Sequence, residues 1–345
     1  VLEFHAVAEP RPGARFQERF QATWPAYSAW YLRDGDAARP SYLACRHALE
    51  LHMPELVHTW ERLVDLAGGG DLAARMLSLW DPPPLVTGCS QAVFARPEPL
   101  LVRNYDFDPN LLEGVITRTE LTGRPVIGMS DCMWGLLDGI NAAGLTLSLA
   151  FGGRRATAPG FAMPLIVRYL LELCATTEHA VAVLARLRVQ ASYNLTIVDS
   201  EGRAVTAHVA PDRPLSIGRA LVATNHQHTV EWPEHAEAVR SAEREQRLLD
   251  LLADTTLSED EFAAAFLEPP LYSADYDDGF GTLYTAVYRP AAGAVEYRWP
   301  ELRWRQSCAA FEAGIRAVRL PSWKSASDSS HEDPGQENSA LPAAG

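Results

Sequence analysis

The chain of 345 residues has no run approaching the ~18 uninterrupted apolar residues of a membrane-crossing helix. It is also short of basic residues, with 30 Lys and Arg against 44 Asp and Glu and a net charge of −14. Nucleic acid and anionic membrane both select basic patches, so neither is expected as a partner. No Cys-x-x-Cys pair occurs, and the cysteines are five: Cys45, Cys89, Cys132, Cys174 and Cys308. That odd, unpaired set reads as free thiols in a reducing compartment. The start, Val1-Leu2-Glu3-Phe4-His5, lacks the basic stretch and apolar core of a signal peptide. The initiator Met is absent, which leaves a removed leader open; a cytoplasmic location is the expectation. No internal repeat is visible.

What is present is ordinary globular material, 47% hydrophobic and 21% charged, enough for one large or two ordinary domains. Residues 1–88 read as mostly helical and rich in tryptophan, with Met53-Pro54 opening one helix and Asp71 capping another over Leu72–Trp80. From residue 89 the texture changes to short strand-like runs: Ser90–Phe94, Leu100–Tyr105, Gly114–Thr122, Val126–Ser130 and Leu145–Phe151. A helical block follows, with a buried helix over Leu165–Cys174 and a second one capped at Thr177. Strands return at Tyr193–Val198, Ala204–Val209 and Ala220–Thr224. Residues 234–253 read as a charged helix, and Ser258 with Glu261 forms a capping box for the next. A hairpin closes the series at Thr282–Tyr288 and Ala294–Arg298. Strands and helices in blocks predict α+β architecture with antiparallel sheets. Residues 322–345 have almost no large apolar side chains and read as a disordered tail.

The chain is organised around Thr87-Gly88-Cys89-Ser90-Gln91-Ala92-Val93-Phe94. Pro82-Pro83-Pro84 ends what precedes it, in a loop where processing is expected. Arg103 follows Cys89 by fourteen residues and Asp106 follows it by seventeen. If the Gly88–Cys89 bond is cut, Cys89 gains a free α-amine with a reference pKa of about 7.7–8.0. That amine can take the thiol proton, so one residue supplies nucleophile and base. No histidine is needed, and none lies near Cys89 in sequence. The thiol can make the cut itself on the Gly88 carbonyl, and Gly88 tolerates strained or positive-φ backbone. Asp106 is the natural group to orient the amine, and Arg103 can lower the thiol pKa. The tetrahedral intermediate needs donors for its oxyanion, a role suited to an amide at a strand end such as Asn225.

Thr87-Gly88-Cys89-Ser90 with Arg103-Asn104-Tyr105-Asp106 resembles the acyl-CoA:6-aminopenicillanate acyltransferase (C45) family of the choloylglycine-hydrolase-like N-terminal-nucleophile (Ntn) hydrolases. Trp134 to Leu145 resembles the family's glycine-asparagine-glycine-leucine segment, Ala223-Thr224-Asn225-His226 its Thr-Asn-His segment, and Ser241 to Arg244 a Ser-x-x-Arg segment. The resemblance covers residues 80–290. It implies a four-layer αββα sandwich of two antiparallel sheets between helical layers. It divides the chain into a helical pro-segment at 1–88, a catalytic domain at 89–321 and a tail at 322–345. It further implies self-cleavage between Gly88 and Cys89, with Cys89, Arg103, Asp106 and Asn225 catalytic. Phe151, Asn141 and Arg244 fall at positions with an oxyanion or substrate role, Phe151 through its backbone N–H only.

Each residue also has a plainer reading. Cys89 alone reads as a packed thiol, Arg103 with Asp106 as a surface ion pair, and Asn225 and Asn141 as turn residues. His226 and His228 invite a metal-hydrolase reading, but no Cys or carboxylate spacing supports it, so neither metal nor cofactor is expected. The expected partner is a small-molecule acyl amide, with homo-oligomerisation left open. The expected activity is hydrolysis of a linear amide through a Cys89 thioester. The alternatives are acyl transfer to an amine, or a non-catalytic acyl- or peptide-binding descendant.

Overall fold

The structure, a computed structural model, describes residues 1–278 and 280–321; the tail expected over 322–345 lies outside the described residues. The chain opens with strand β1 (Leu2–Ala8), then four helices: α1 (Ala14–Tyr31), α2 (Tyr42–His52), α3 (Val57–Leu66) and α4 (Asp71–Leu77). Ser41 caps α2 by accepting the Ala44 N–H, and α3 runs out into Gly68 and Gly69, both at positive φ. Gly70, not Asp71, stands at the N-cap of α4. Next come β2 (Gly88–Phe94), β3 (Leu100–Phe107), β4 (Val115–Thr119), β5 (Val126–Asp131), β6 (Gly135–Asn141) and β7 (Thr146–Phe151). Helices α5 (Met163–Leu173) and α6 (Thr177–Leu184) lead into β8 (Tyr193–Val198), β9 (Ala204–Ala210), β10 (Arg213–Ile217) and β11 (Val222–Ala223). The chain ends with α7 (Pro233–Ala238), α8 (Ser241–Ala253), α9 (Glu259–Ala265), β12 (Gly281–Arg289), β13 (Ala294–Trp299), β14 (Leu302–Ser307) and β15 (Gly314–Val318).

The strands form two sheets, one of nine ordered β10-β9-β8-β7-β6-β5-β4-β1-β15 and one of six ordered β11-β2-β3-β12-β13-β14. Their inner faces meet where Gln91 of β2 donates to the Ser148 and Asn194 carbonyls of β7 and β8. Arg103 of β3 likewise reaches Asp138 of β6. Helices α5 and α6 cover the outer face of the larger sheet, and α8 and α9 cover the smaller, with Phe262 stacked on Phe94. The order is therefore helix, sheet, sheet, helix, the expected four-layer sandwich. Glycine permits the tight outer packing: a Cβ at Gly135 would lie 2.5 Å from Pro164 Cβ, and one at Gly139 would lie 2.7 Å from Leu171 Cδ1.

Three further expectations need correction. Thr176, which accepts the His179 N–H, and not Thr177, caps α6. Residues 1–88 are not helical throughout, because β1 lies inside the larger sheet, antiparallel to β15 and parallel to β4. The alternating burial of Leu2–Ala8 is a strand pattern that the helical reading passed over. The charged helix over 234–253 is two helices, broken where Arg240 takes left-handed backbone at φ 52°. Among the described residues no helix is long and apolar enough to cross a membrane.

Candidate active site

Cys89 lies at the start of β2 and is fully buried. β2 pairs antiparallel with β3 in a register that sets Gly88 opposite Asp106 and Gln91 opposite Arg103. Alternation along β3 then turns Arg103 inward between the sheets, and its Nη2 lies 3.3 Å from the Cys89 sulfur. The rest of the guanidinium is fixed by Asp138, by the Tyr284 hydroxyl at 2.7 Å and by the Leu149 carbonyl at 3.0 Å. Its plane also lies over the rings of Tyr105 and Tyr284.

A second guanidinium closes the other side. Arg244, buried on α8, donates through Nη1 to the Cys89 carbonyl (2.7 Å), Ser90 Oγ (2.8 Å) and Asp106 Oδ2 (3.1 Å). Its Nη2 donates to Asn225 Oδ1 at 2.7 Å. The other Asp106 oxygen accepts from Thr282 Oγ1 at 2.7 Å. Asn225 is the hub. Its Oδ1 accepts the Cys89 N–H at 2.9 Å, and its Nδ2 donates to the carbonyls of Thr87 and Phe151, each at 3.1 Å.

The electrostatics pull in two directions. Burial pushes the Cys89 thiol up, Arg103 draws it down, and Asp106 pushes it up again. Burial also raises the Asp106 carboxyl, against the pull of Arg244 and the Thr282 hydrogen bond. While the chain is continuous at Gly88–Cys89, the Cys89 nitrogen is an amide and cannot act as a base. The amide carbonyl of Asn225 already lies where a cleaved amine would need an acceptor.

The structure thus gathers Cys89, Arg103, Asp106, Asn225 and Arg244 in one buried cluster. Arg244, matched loosely in sequence, bonds to each of the others except Arg103. Phe151 enters through its carbonyl rather than the expected N–H, while its ring meets Tyr193, Trp232 and His235. Asn141 does not join. Its Nδ2 donates to the Leu171 and Cys174 carbonyls and its Oδ1 accepts from Ala143 and Leu145 N–H, so the side chain is consumed by the β6–β7 turn and the end of α5. Gly88 has no positive φ. A Cβ there would lie 2.0 Å from Phe280 Cζ, so a side chain would first have to displace that ring, and no left-handed backbone calls for glycine.

Sequence reasoning missed the supports. Asp138, Tyr284 and Thr282 hold the two charged groups; Ser241, named only within the Ser-x-x-Arg segment, accepts the Asn225 N–H on its Oγ at 2.8 Å. An aspartate inside the otherwise apolar Leu136–Ile140 run was the available signal for Asp138. Among the described residues no group of three His, Cys, Asp or Glu side chains could hold a metal ion, so His226 and His228 form no such site.

No curated protein matches the sequence. Among solved structures, penicillin V acylase from Agrobacterium tumefaciens is 14% identical with a TM-score of 0.45, over 66% of this chain and 90% of that one. A mutant conjugated bile acid hydrolase from Clostridium perfringens is 11% identical with a TM-score of 0.42, over 67% and 97%. The Caenorhabditis elegans ortholog of N-acylethanolamine-hydrolyzing acid amidase is 14% identical with a TM-score of 0.44, over 67% and 100%. The family described as acyl-coenzyme A:6-aminopenicillanic acid acyl-transferase matches residues 94–304, more than half the chain. The chain belongs to that family, as the resemblance around Cys89 implied.

Proposed function

We propose that the protein is a cysteine Ntn amidohydrolase that cuts its own Gly88–Cys89 bond and then cleaves a linear amide of a small acyl substrate. One observation carries the reading: the Asn225 amide joins the Cys89 nitrogen, through Oδ1, to a carbonyl of the segment just before it, through Nδ2. Once that segment withdraws, Oδ1 still holds the Cys89 nitrogen as an amine, and Nδ2 is released toward the space the Thr87 carbonyl occupied. An oxyanion beside the sulfur would find its donor there.

The chemistry then runs on this chain's own groups. The Cys89 amine takes the thiol proton, and the sulfur attacks the acyl carbon, its electron pair forming the C–S bond. Charge moves to the carbonyl oxygen, held by Asn225 Nδ2. The oxyanion collapses, the C–N bond breaks, and the leaving nitrogen collects the proton from the Cys89 ammonium. Water attacks the thioester, gives its proton to the same amine, and releases the carboxylic acid and the thiol. Arg103 favours the thiolate throughout, while Arg244 and Asp106 hold the start of β2 in place. The family's description favours a second outcome, in which an amine replaces water at the last step; exclusion of water from the site decides between them.

Intact mass with an electrophilic acyl probe tests the reading. The expected result is a fragment beginning at Cys89, labelled at its sulfur, and an uncut, unlabelled chain for Cys89→Ala. An uncut wild-type chain that turns over an acyl amide would overturn the self-cleavage. A cut or labelled Cys89→Ala chain would overturn the nucleophile.

A further inference from the structure

Behind Asn225, away from Cys89, lies a chain of polar groups that the chemistry above does not use. The Asn225 N–H donates to Ser241 Oγ at 2.8 Å, and Ser241 is fully buried at the start of α8. The same oxygen lies 2.8 Å from His226 Nδ1 and donates to Thr224 Oγ1 at 3.0 Å. His226 Nε2 lies 3.1 Å from Glu245 Oε2. The imidazole is nearly buried, with 9% of its side chain exposed, whereas Glu245 is 36% exposed. Both line a surface hollow of about 440 Å³. A carboxylate, an imidazole and a buried hydroxyl therefore run from the surface to the backbone of the proposed oxyanion donor.

We propose that His226, oriented by Glu245, is a positioning residue that fixes the Ser241 hydroxyl and through it the placement of Asn225 at the reacting carbonyl. The inference rests on the proposed function of the Cys89 site. Counting protons shows why histidine suits the position. Ser241 Oγ accepts from Asn225 N–H and gives its single proton to Thr224 Oγ1, which leaves its second lone pair facing His226 Nδ1. Glu245 holds the ring at Nε2 and so fixes the direction in which Nδ1 meets Ser241 Oγ. A lone pair on Ser241 is then kept directed at Asn225 N–H. Removing the ring leaves the hydroxyl held by Thr224 alone and the acceptor of the Asn225 N–H less firmly placed. The displacement matters because an oxyanion donor acts only within a few tenths of an ångström of its proper place.

The side chains of asparagine and glutamine separate the two ends of the relay. Asparagine places a polar atom near the position of Nδ1 and can keep the bond to Ser241. Glutamine reaches toward Nε2 and keeps only the bond to Glu245. Turnover of an acyl amide is measured for His226→Asn, His226→Gln and His226→Leu, per processed chain counted by intact mass, with Cys89→Ala alongside. The expected pattern is a kcat ~10–100-fold lower for His226→Leu and His226→Gln, the range of a misplaced oxyanion donor, with KM near that of wild type. His226→Asn is expected to recover most of that loss. A purely structural role would instead order the three variants by melting temperature, without the Asn rescue. Equal kcat for wild type and His226→Leu, or equal losses for Asn and Leu, would overturn the relay while Cys89→Ala remains inactive. An active Cys89→Ala chain would overturn the proposed function, and the relay with it.

Discussion

Arg103 Nη2 lies 3.3 Å from the Cys89 sulfur, while Nη1 of the same guanidinium is bound to Asp138, and both ends of that ion pair are fully buried. The pair therefore does two things. It keeps beside the thiol a positive charge that offsets part of the rise burial imposes on the thiol pKa, and it neutralises that charge where no water can.

Asp138→Ala leaves Arg103 as an uncompensated buried charge. The expected loss is ~3–5 kcal/mol of unfolding free energy, read from chemical denaturation. The double variant Arg103→Met, Asp138→Leu removes both charges and is expected to regain most of that stability. It would still lose activity, about tenfold or more, because the thiol loses the cation that draws its pKa down. Recovery of activity in the double variant would show that the charge on Arg103 is not what the sulfur requires.

The sequence made the Cys89 centre legible because its residues fall at fixed distances on two adjacent strands. A hairpin that pairs Gly88 with Asp106 brings the Arg103-to-Asp106 run beside Cys89 whatever the rest of the chain does. Asn225 and Arg244 come from β11 onward, more than a hundred residues away; Asn225 was reached as an amide at a strand end and through the family resemblance, Arg244 through the resemblance alone. Asp138, Tyr284 and Thr282 escaped notice because their partners are set by the packing of one sheet on another, which no local pattern encodes. β1 escaped for a related reason: a lone strand ahead of four helices has no hairpin partner nearby, and its neighbours β4 and β15 lie far along the chain.

The place of β1 inside the larger sheet bears on the fate of residues 1–88 after the proposed cut before Cys89. β1 is hydrogen-bonded on both sides, to β15 and to β4, and α1 adds the Tyr27 bond to Glu113. Releasing residues 1–88 would open the larger sheet and expose two strand edges. The two fragments are expected to co-elute as one particle in size-exclusion chromatography and to part only in denaturant. Separation in native buffer would show that the leader is shed.

Gly153 is the glycine whose replacement should reach Asn225 most directly. It sits at φ +66°, and an added Cβ would lie 2.1 Å from the Asn225 carbonyl oxygen. Gly153→Ala is expected to cost ~1–3 kcal/mol of stability from the left-handed backbone and the clash. Because Asn225 must shift, the proposed self-cleavage at Gly88–Cys89 should also slow, measured by intact mass over time. Normal processing in a destabilised variant would separate the fold's need for Gly153 from the site's.

Acid should act on stability through two buried imidazoles. Burial, then His228, holds His208 down to about 4; burial, then Arg244, does the same for His235, whose two ring nitrogens have no partner among the described residues. Unfolded histidine titrates at about 6.5, so below that pH the unfolded chain binds protons that the folded chain refuses. The two groups therefore contribute stability above about pH 6.5 that is lost as pH falls toward about 4. Asp131 works the other way, since burial and the nearby Glu113 push its carboxyl up to about 7, and the folded chain there gains stability as pH falls. Wild-type stability alone would therefore confuse the two. The difference between His235→Phe and wild type isolates one imidazole, because the ring against Phe151 and Trp232 is kept and the proton is removed. His235→Phe is expected to gain on wild type as pH falls from about 6.5 to 4, by roughly 1–3 kcal/mol at the acid end, in urea denaturation at each pH. A difference that stays flat across that window would mean that His235 takes up its proton as readily folded as unfolded.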